Sequence, residues 1–318
     1  MDERKIYEYL IDELKSIIPN NSELIDKLSD ILFIGKEGIY RRMRGEVPFT
    51  LEEASIICHN MGISLDSFIG VSAVKRPFVF KIANFANPQN TDYKLINEFV
   101  DFLEPIKDDP DTEMGIATKI IPDTLHLNYP YITSFYLFKW MYQYDNKAIK
   151  KFGEIKGTDK LLGILNDMAN LLQHIKNTYY IFDQRIFENF VEDIKYFNQI
   201  RLISNDDMKL LKKDLYTCLN DIELLAIKGV NHMGNKTQIY LSNINFETDF
   251  SYVKSHKHKL SKIRVFTIYD ISSNDATTYE NLLRWMSSLK KTSSLISESG
   301  EIERTAFFKK QYDIINTL

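Results

Sequence analysis

Glycine is scarce in this chain, with 12 in 318 residues. No glycine-rich strand–loop–helix unit can be drawn from so few, and Gly234-Asn235-Lys236 is not a phosphate loop. Cysteine is scarcer still. Cys58 and Cys218 lie far apart in apolar helical patterns, without the spacing of a zinc site, a redox pair or a disulfide framework. Two buried free thiols in a reducing cytoplasm are the expectation. Long apolar runs are also missing. The most apolar stretch, Tyr131–Tyr144, is too short for a bilayer span and carries Lys139, so it reads as a buried helix. The start, Met1-Asp2-Glu3-Arg4, lacks the apolar run of a signal peptide, and no membrane contact is expected. HExxH, GxSxG and Cys–His nucleophile spacings are absent, so neither an enzyme nor a cofactor is expected. A net charge of −4 gives no overall pull toward polyanions. Any contact with nucleic acid must come from a local patch.

What is there is ordinary for a globular chain: 44% hydrophobic and 26% charged residues, enough for two domains. The expected fold is mainly α, with a five-helix domain over residues 1–70, a linker over 71–92 and a larger α+β domain over 93–318. In the first domain Ile6, Leu10, Leu14 and Ile17 recur at helical spacing until Pro19-Asn20-Asn21 breaks the pattern. Ser22 is the expected N-cap of a second helix carrying Ile25, Leu28 and Leu32. A third runs from Lys36 to about Arg44 and stops at Gly45. Thr50-Leu51-Glu52-Glu53 has the form of a capping box opening a fourth, and Ser64 caps a last turn with Leu65 and Phe68. The linker holds one short candidate strand, Phe78–Ile82.

Beyond it, Leu95, Phe99 and Phe102 begin a mostly helical region, with helices expected near 132–144, 158–176, 183–200 and 205–228. Thr237–Ile244 and Lys259–Ile271, rich in Ile, Val, Tyr, Phe and Thr, predict a small antiparallel sheet near the C-terminus. Helices near 275–290 and 300–317 close the chain.

The third helix carries the informative chemistry. Residues 1–70 hold 8 basic and 13 acidic side chains, yet four of the eight basic ones fall between 36 and 44. Helical spacing puts Lys36, Glu37, Tyr40, Arg41 and Arg44 on one side and Ile39 and Met43 on the other. An arginine fork can read guanine in a major groove, while Lys, Arg and Tyr satisfy phosphates. The competing reading is a solvated surface helix. Arg42, on the flank, either touches phosphate or pairs with an acid such as Asp30 or Glu46.

Short helices in this order, the third basic and polar, form the pattern of a helix-turn-helix module. The stretch from Leu28 to Phe68 resembles the phage-repressor-like (XRE-type) family, on Arg44-Gly45, Pro48, the Thr50 helix, Met61-Gly62-Ile63 and Ser64-Leu65-Asp66 in order. The string Tyr40-Arg41-Arg42-Met43-Arg44-Gly45 also resembles regulators of this type in gut Bacteroidetes. The resemblance covers about a fifth of the chain and implies double-stranded DNA as partner, with Lys36, Glu37, Tyr40, Arg41, Arg42 and Arg44 facing it. There are departures. Phe33 stands where the family usually has the turn glycine, unless Gly35 takes that role in a shifted register. Met43 replaces a frequent glutamate, and the usual glutamine opening the second helix is missing.

Other candidates carry less. His256-Lys257-His258 alternates as a metal site would, but Lys254, Lys257 and Lys259 oppose a cation, so a solvated hairpin tip is expected. Residues 228–264 hold 7 basic and 2 acidic side chains, a patch for DNA flanks, for an anionic ligand or for the acidic first domain. Phe135, Tyr136, Phe138, Trp140 and Tyr142 line either a core or a ligand pocket. The expected protein is a homodimeric DNA-binding transcriptional regulator whose C-terminal domain dimerises or senses a small ligand. Its dimer surface is sought around Phe187, Phe190, Ile194 and Phe197 or around Ile302, Phe307, Phe308 and Ile314. The alternative is a scaffold or antitoxin-like protein that uses the small domain for protein contact.

Overall fold

The computed structural model describes residues 3–61, 63, 94–144, 151–154, 159–265, 267 and 270–318. The chain divides into two compact units, Met1–Phe78 and Val79–Leu318. The expected turn at Ser64–Phe68, the linker 71–92 and its strand lie outside the described residues.

The first unit contains α1 (Glu3–Ile17), α2 (Asn21–Leu32), α3 (Lys36–Met43) and α4 (Leu51–Met61). Leu10 and Leu14 are buried as the spacing predicts, but Ile17 is exposed, and Ile11 and Ile18 take the inward positions. Helix α2 is capped two residues earlier than expected: the Asn20 side chain, not Ser22, accepts from the backbone N–H of Ser22 at 3.1 Å and of Glu23 at 3.4 Å. Leu24, Ile25, Leu28, Ile39, Ala54, Ile57 and Cys58 close a single small core.

Among the described residues the second unit begins with α5 (Lys94–Leu103), and it is built on a seven-stranded sheet. Its strands are β1 (Glu113–Thr118), β2 (Asn177–Phe182), β3 (Lys236–Ser242), β4 (Phe250–Lys254), β5 (Lys259–Arg264), β6 (Asp270–Ser273) and β7 (Ser293–Leu295). Their order is β6-β5-β4-β1-β2-β3-β7. The sheet corrects the small antiparallel one expected: it is larger and mixed, and its centre is parallel, with Ile116 opposite Tyr180 and Tyr180 opposite Ile239. Parallel neighbours require crossovers. Helices α6 (Asp123–His126), α7 (Pro130–Tyr144) and α8 (Asp159–Leu172) join β1 to β2. Helices α9 (Glu188–Gln199) and α10 (Asn205–Lys228) join β2 to β3. A capping box between Ser204 and Asp207 starts α10, and Gly229, at φ 66°, ends it. The predicted strand 259–271 is in fact the β5–β6 hairpin.

Successive strand residues point to opposite faces. Met114, Ile116, Tyr180, Phe182, Ile239 and Leu241 meet the helical layer, where α12 (Glu301–Asn316) joins the crossover helices. The aromatic stripe of α7 is core: Phe135 meets Phe190 at 4.7 Å and Phe138 meets Phe197 at 4.8 Å, edge to face. The surfaces sought for dimerisation are largely consumed here. Phe187, Phe190, Ile194, Phe197, Phe307 and Phe308 are buried within the one chain, Ile314 is partly buried, and Ile302 is exposed. On the opposite face Ala117, Tyr179, Ile181 and Tyr252 pack against Tyr279, Met286 and Leu289 of α11 (Ala276–Lys291). Both cysteines are free and buried, and burial pushes both thiols above their ordinary pKa. No helix among the described residues is long and apolar enough to cross a membrane.

Two members of the expected basic patch are internal. Arg264 donates to Asp270 at 2.6 Å, to Asp123 at 2.9 Å and to the Thr267 carbonyl at 3.1 Å. Lys262 lies 3.8 Å from Asp270 and 3.1 Å from the centroid of the Phe99 ring. Burial alone would raise Asp123, but Arg264, with help from His126 and Lys262, holds it well below the usual carboxylate range. The adjoining cavity, between Thr118, Asp249, Arg264 and Asp270, measures about 30 Å³, room for a single water. The cluster is a strut. Arg264→Leu leaves two half-buried carboxylates without their main partner and is expected to destabilise the second unit by about 3 kcal/mol. Chemical denaturation of the full chain checks this, and an unchanged midpoint contradicts it.

Candidate nucleic-acid interface

Three residues, Phe33 to Gly35, turn the chain from α2 into α3. The left-handed position of this turn belongs to Phe33, at φ 54° and ψ 35°, while Gly35 has φ −59°. Phe33, not Gly35, thus takes the left-handed conformation. A Cβ in the left-handed region costs roughly 1 kcal/mol, and the Phe33 ring recovers none of it by burial, since it is 95% exposed. The Ser29 hydroxyl braces the turn by donating to the Ile34 carbonyl at 2.6 Å.

Helix α3 then presents two faces. Ile39 is fully buried and Met43 is packed against the same small core. Lys36, Glu37, Tyr40, Arg41 and Arg44 are all exposed on the opposite side. Arg42 behaves differently from its neighbours. Its guanidinium donates through Nε and Nη2 to Glu53 at 3.1 and 2.7 Å, and through Nη1 to the Gly38 carbonyl at 3.3 Å. Both side chains of the pair are only 17% exposed. Arg42 thus pairs inward, with an acid that neither of the sequence candidates, Asp30 and Glu46, anticipated, and it is not available to a phosphate. It positions the helix.

Glu53 has a second task. The Thr50 backbone N–H donates to its carboxylate at 2.9 Å, and the Thr50 hydroxyl accepts from the Glu53 N–H at 3.1 Å, the reciprocal pair expected from Thr50-Leu51-Glu52-Glu53. One carboxylate therefore caps α4 and ties it to α3. Hydrogen bonds from Arg42, then the one from Thr50, outweigh burial and hold Glu53 below its ordinary pKa. At the other end, Tyr7 of α1 donates its hydroxyl to the Arg42 carbonyl at 2.6 Å and stacks on Phe49 at 6.1 Å. That bond adds a second donor to a C-terminal carbonyl that already accepts from the Gly45 N–H at 2.8 Å.

The exposed face is not a bare cationic patch. Lys36 meets Asp26 at 2.5 Å, Arg41 meets Glu46 at 3.5 Å, and Arg44 meets Glu46 at 2.8 Å and Glu37 at 3.9 Å. Three cations thus stand beside three carboxylates. The sequence carried no signal for these pairings, because Asp26 and Glu46 belong to segments on either side of α3. The remaining basic residues of interest lie in the second unit: His256, Lys257 and His258 form the β4–β5 turn, where the His256 N–H donates to Asp109 at 2.8 Å. Among the described residues no group of His, Cys, Asp and Glu is placed to hold a metal ion.

No protein-family model, no curated protein and no solved structure matches the chain.

Two outcomes follow for the small unit. Phe33→Gly removes the left-handed strain and is expected to stabilise it by about 1 kcal/mol, read from amide exchange of α2 and α3 in the full chain; slower exchange supports the turn geometry and faster exchange contradicts it. Glu53 is lowered on folding, so its contribution is present above the unfolded glutamate pKa of about 4.3 and is lost as pH falls through the folded value. Glu53→Gln is therefore expected to lower amide protection factors in α3 and α4 at neutral pH and to lessen the further loss of protection in acid. An acid profile identical to that of the native chain overturns the assignment.

Proposed function

We propose that the protein is a sequence-specific DNA-binding transcriptional regulator that presents α3 to the major groove. The observation that carries this is the division of labour on α3: Ile39, Met43 and Arg42 hold the helix down, while Lys36, Glu37, Tyr40, Arg41 and Arg44 stand outward together. The dimensions agree. A helix of 8 residues is about 12 Å long, close to the width of a major groove. The three-residue turn after α2 and the resemblance of the Leu28–Phe68 stretch to phage-repressor-like domains support the same reading. In it Arg41 and Arg44 read bases or grip phosphate, Lys36 and Tyr40 take phosphates, and Arg42 acts only by positioning.

The ion pairs on this face do not forbid the exchange. Exposed pairs are worth about 0–1 kcal/mol each, whereas a good bidentate arginine–guanine contact is worth about 1–3 kcal/mol. The partners on DNA win. A single short helix with three cations nonetheless makes few contacts, so regulators of this build gain affinity by joining two modules, which makes the second contact effectively intramolecular. A homodimer is accordingly part of the proposal.

The balance of three cations against three carboxylates favours one second reading, a protein-interaction module whose partner matches an alternating surface. Salt separates the two, since displacing counterions from DNA makes binding fall steeply with ionic strength. Selection of bound sequences from random duplex DNA with the full chain supplies the ligand. Arg41→Ala and Arg44→Ala are then each expected to weaken binding by about 1–3 kcal/mol, while Glu46→Gln, which removes a competing carboxylate, is expected to strengthen it. Unchanged affinity in the double arginine variant, or weaker binding by Glu46→Gln, overturns the reading.

A further inference from the structure

Between α11 and the sheet, at the starts of the three parallel strands, lies a cavity of about 280 Å³. Its walls include Glu113, Tyr179, Lys236, Gln238, Tyr252 and Lys290. Gly115 makes this crowding possible: a Cβ there would come within 2.5 Å of the Tyr252 ring and 2.6 Å of the Tyr179 ring. The two tyrosines meet edge to face at 6.0 Å.

The charges around this cavity are unbalanced. Lys290 Nζ stands 4.3 Å from the centroid of the Tyr179 ring and 4.8 Å from that of Tyr240, within cation–π range of both. Among the described residues neither Lys290 nor Lys236 forms an ion pair. Among the described residues Glu113 is the one carboxylate on the wall, and it already accepts from the Tyr252 hydroxyl. Burial lowers the Lys290 pKa; Glu113 opposes this and Lys236 adds to it by repulsion. Two ammonium groups and one carboxylate leave the wall with a surplus positive charge, and the half-buried Lys290 ammonium is the one that an oxyanion would relieve.

We propose that this cavity is a binding site for a small organic anion, whose carboxylate or phosphate oxygens sit between Lys236 and Lys290. The size limits the class. A volume of about 280 Å³ is near the lower end of small-molecule pockets, roughly 300–1,000 Å³. A nucleic-acid strand does not fit, and a bare inorganic ion leaves most of the space empty. The Tyr179 and Tyr252 rings and Leu283 give the organic body an apolar wall, and the Gln238 amide and Ser287 hydroxyl supply further donors. This inference rests on the second unit alone and stands or falls independently of the role of α3.

Isothermal titration calorimetry on the full chain at low salt tests it with phenyl phosphate and benzoate as the two anion chemistries, benzamide as the neutral analogue and inorganic phosphate as the bare ion. At least one organic anion is expected to bind with a Kd at or below about 1 mM, with benzamide and inorganic phosphate at least about tenfold weaker. Which of the two binds more tightly identifies the oxyanion. Lys290→Met keeps the apolar stem and removes the charge, and is expected to weaken binding about tenfold or more. Lys236 is exposed, so Lys236→Met tests the same loss in a variant whose folding is not at stake. No binding of either anion at millimolar concentration overturns the proposal. So does affinity unchanged in both lysine variants, or inorganic phosphate binding as tightly as the organic anions.

Discussion

The small unit turns on one carboxylate. Glu53 takes two hydrogen bonds from Arg42 and one from the Thr50 backbone, so a single side chain both starts α4 and fixes α3 against it. A partly buried bidentate pair of this kind is directional in a way that the apolar contacts of Ile39 and Leu28 are not: those set the distance between helices, while the guanidinium fork sets the rotation of α3 about its own axis. Rotation is what the proposed function needs. Turning α3 by one residue would carry Arg41 toward the core and Ile39 toward solvent.

The second unit rests on a different constraint. Three adjacent parallel strands force two long crossovers, and a sheet of this kind is stable only when both of its faces are covered. One face takes the aromatic helical layer, which draws in Phe190, Phe197, Phe307 and Phe308. The other takes α11, which meets the strands through Tyr279, Met286 and Leu289 but leaves a lysine-lined gap at one end. In the proposed scheme that gap holds a small anion, while the strut around Arg264 ties segments together at the opposite ends of the strands.

Much of this was legible in the sequence where local chemistry decides the outcome. The helix 205–228 was read with its bounds, and the structure shows Ser204 and Gly229 setting them; the fourth helix was readable because Thr50 and Glu53 form a reciprocal cap. Strands β1 and β2 were not readable. Their residues 114–118 and 178–182 are buried on both faces, so they lack the polar–apolar alternation that betrays a half-exposed strand. The outward face of α3 followed from helical spacing alone. Its ion pairs did not, since Asp26 and Glu46 reach it only through the fold, and the inward turn of Arg42 depended on Glu53, 11 residues away. The proposed anion cavity was legible only in part: Lys236 falls in the basic stretch 228–264, but Glu113 and Lys290 join it only through the sheet order and the docking of α11.

The central claim, that α3 is the surface that meets DNA, is tested most directly by amide hydrogen exchange of the full chain with and without a duplex taken from selection. The expected result is slowed exchange across residues 33–46, with α4 and the second unit's sheet unchanged. A bound duplex that slows exchange elsewhere and leaves 33–46 untouched, or a selection that enriches no sequence, would contradict it.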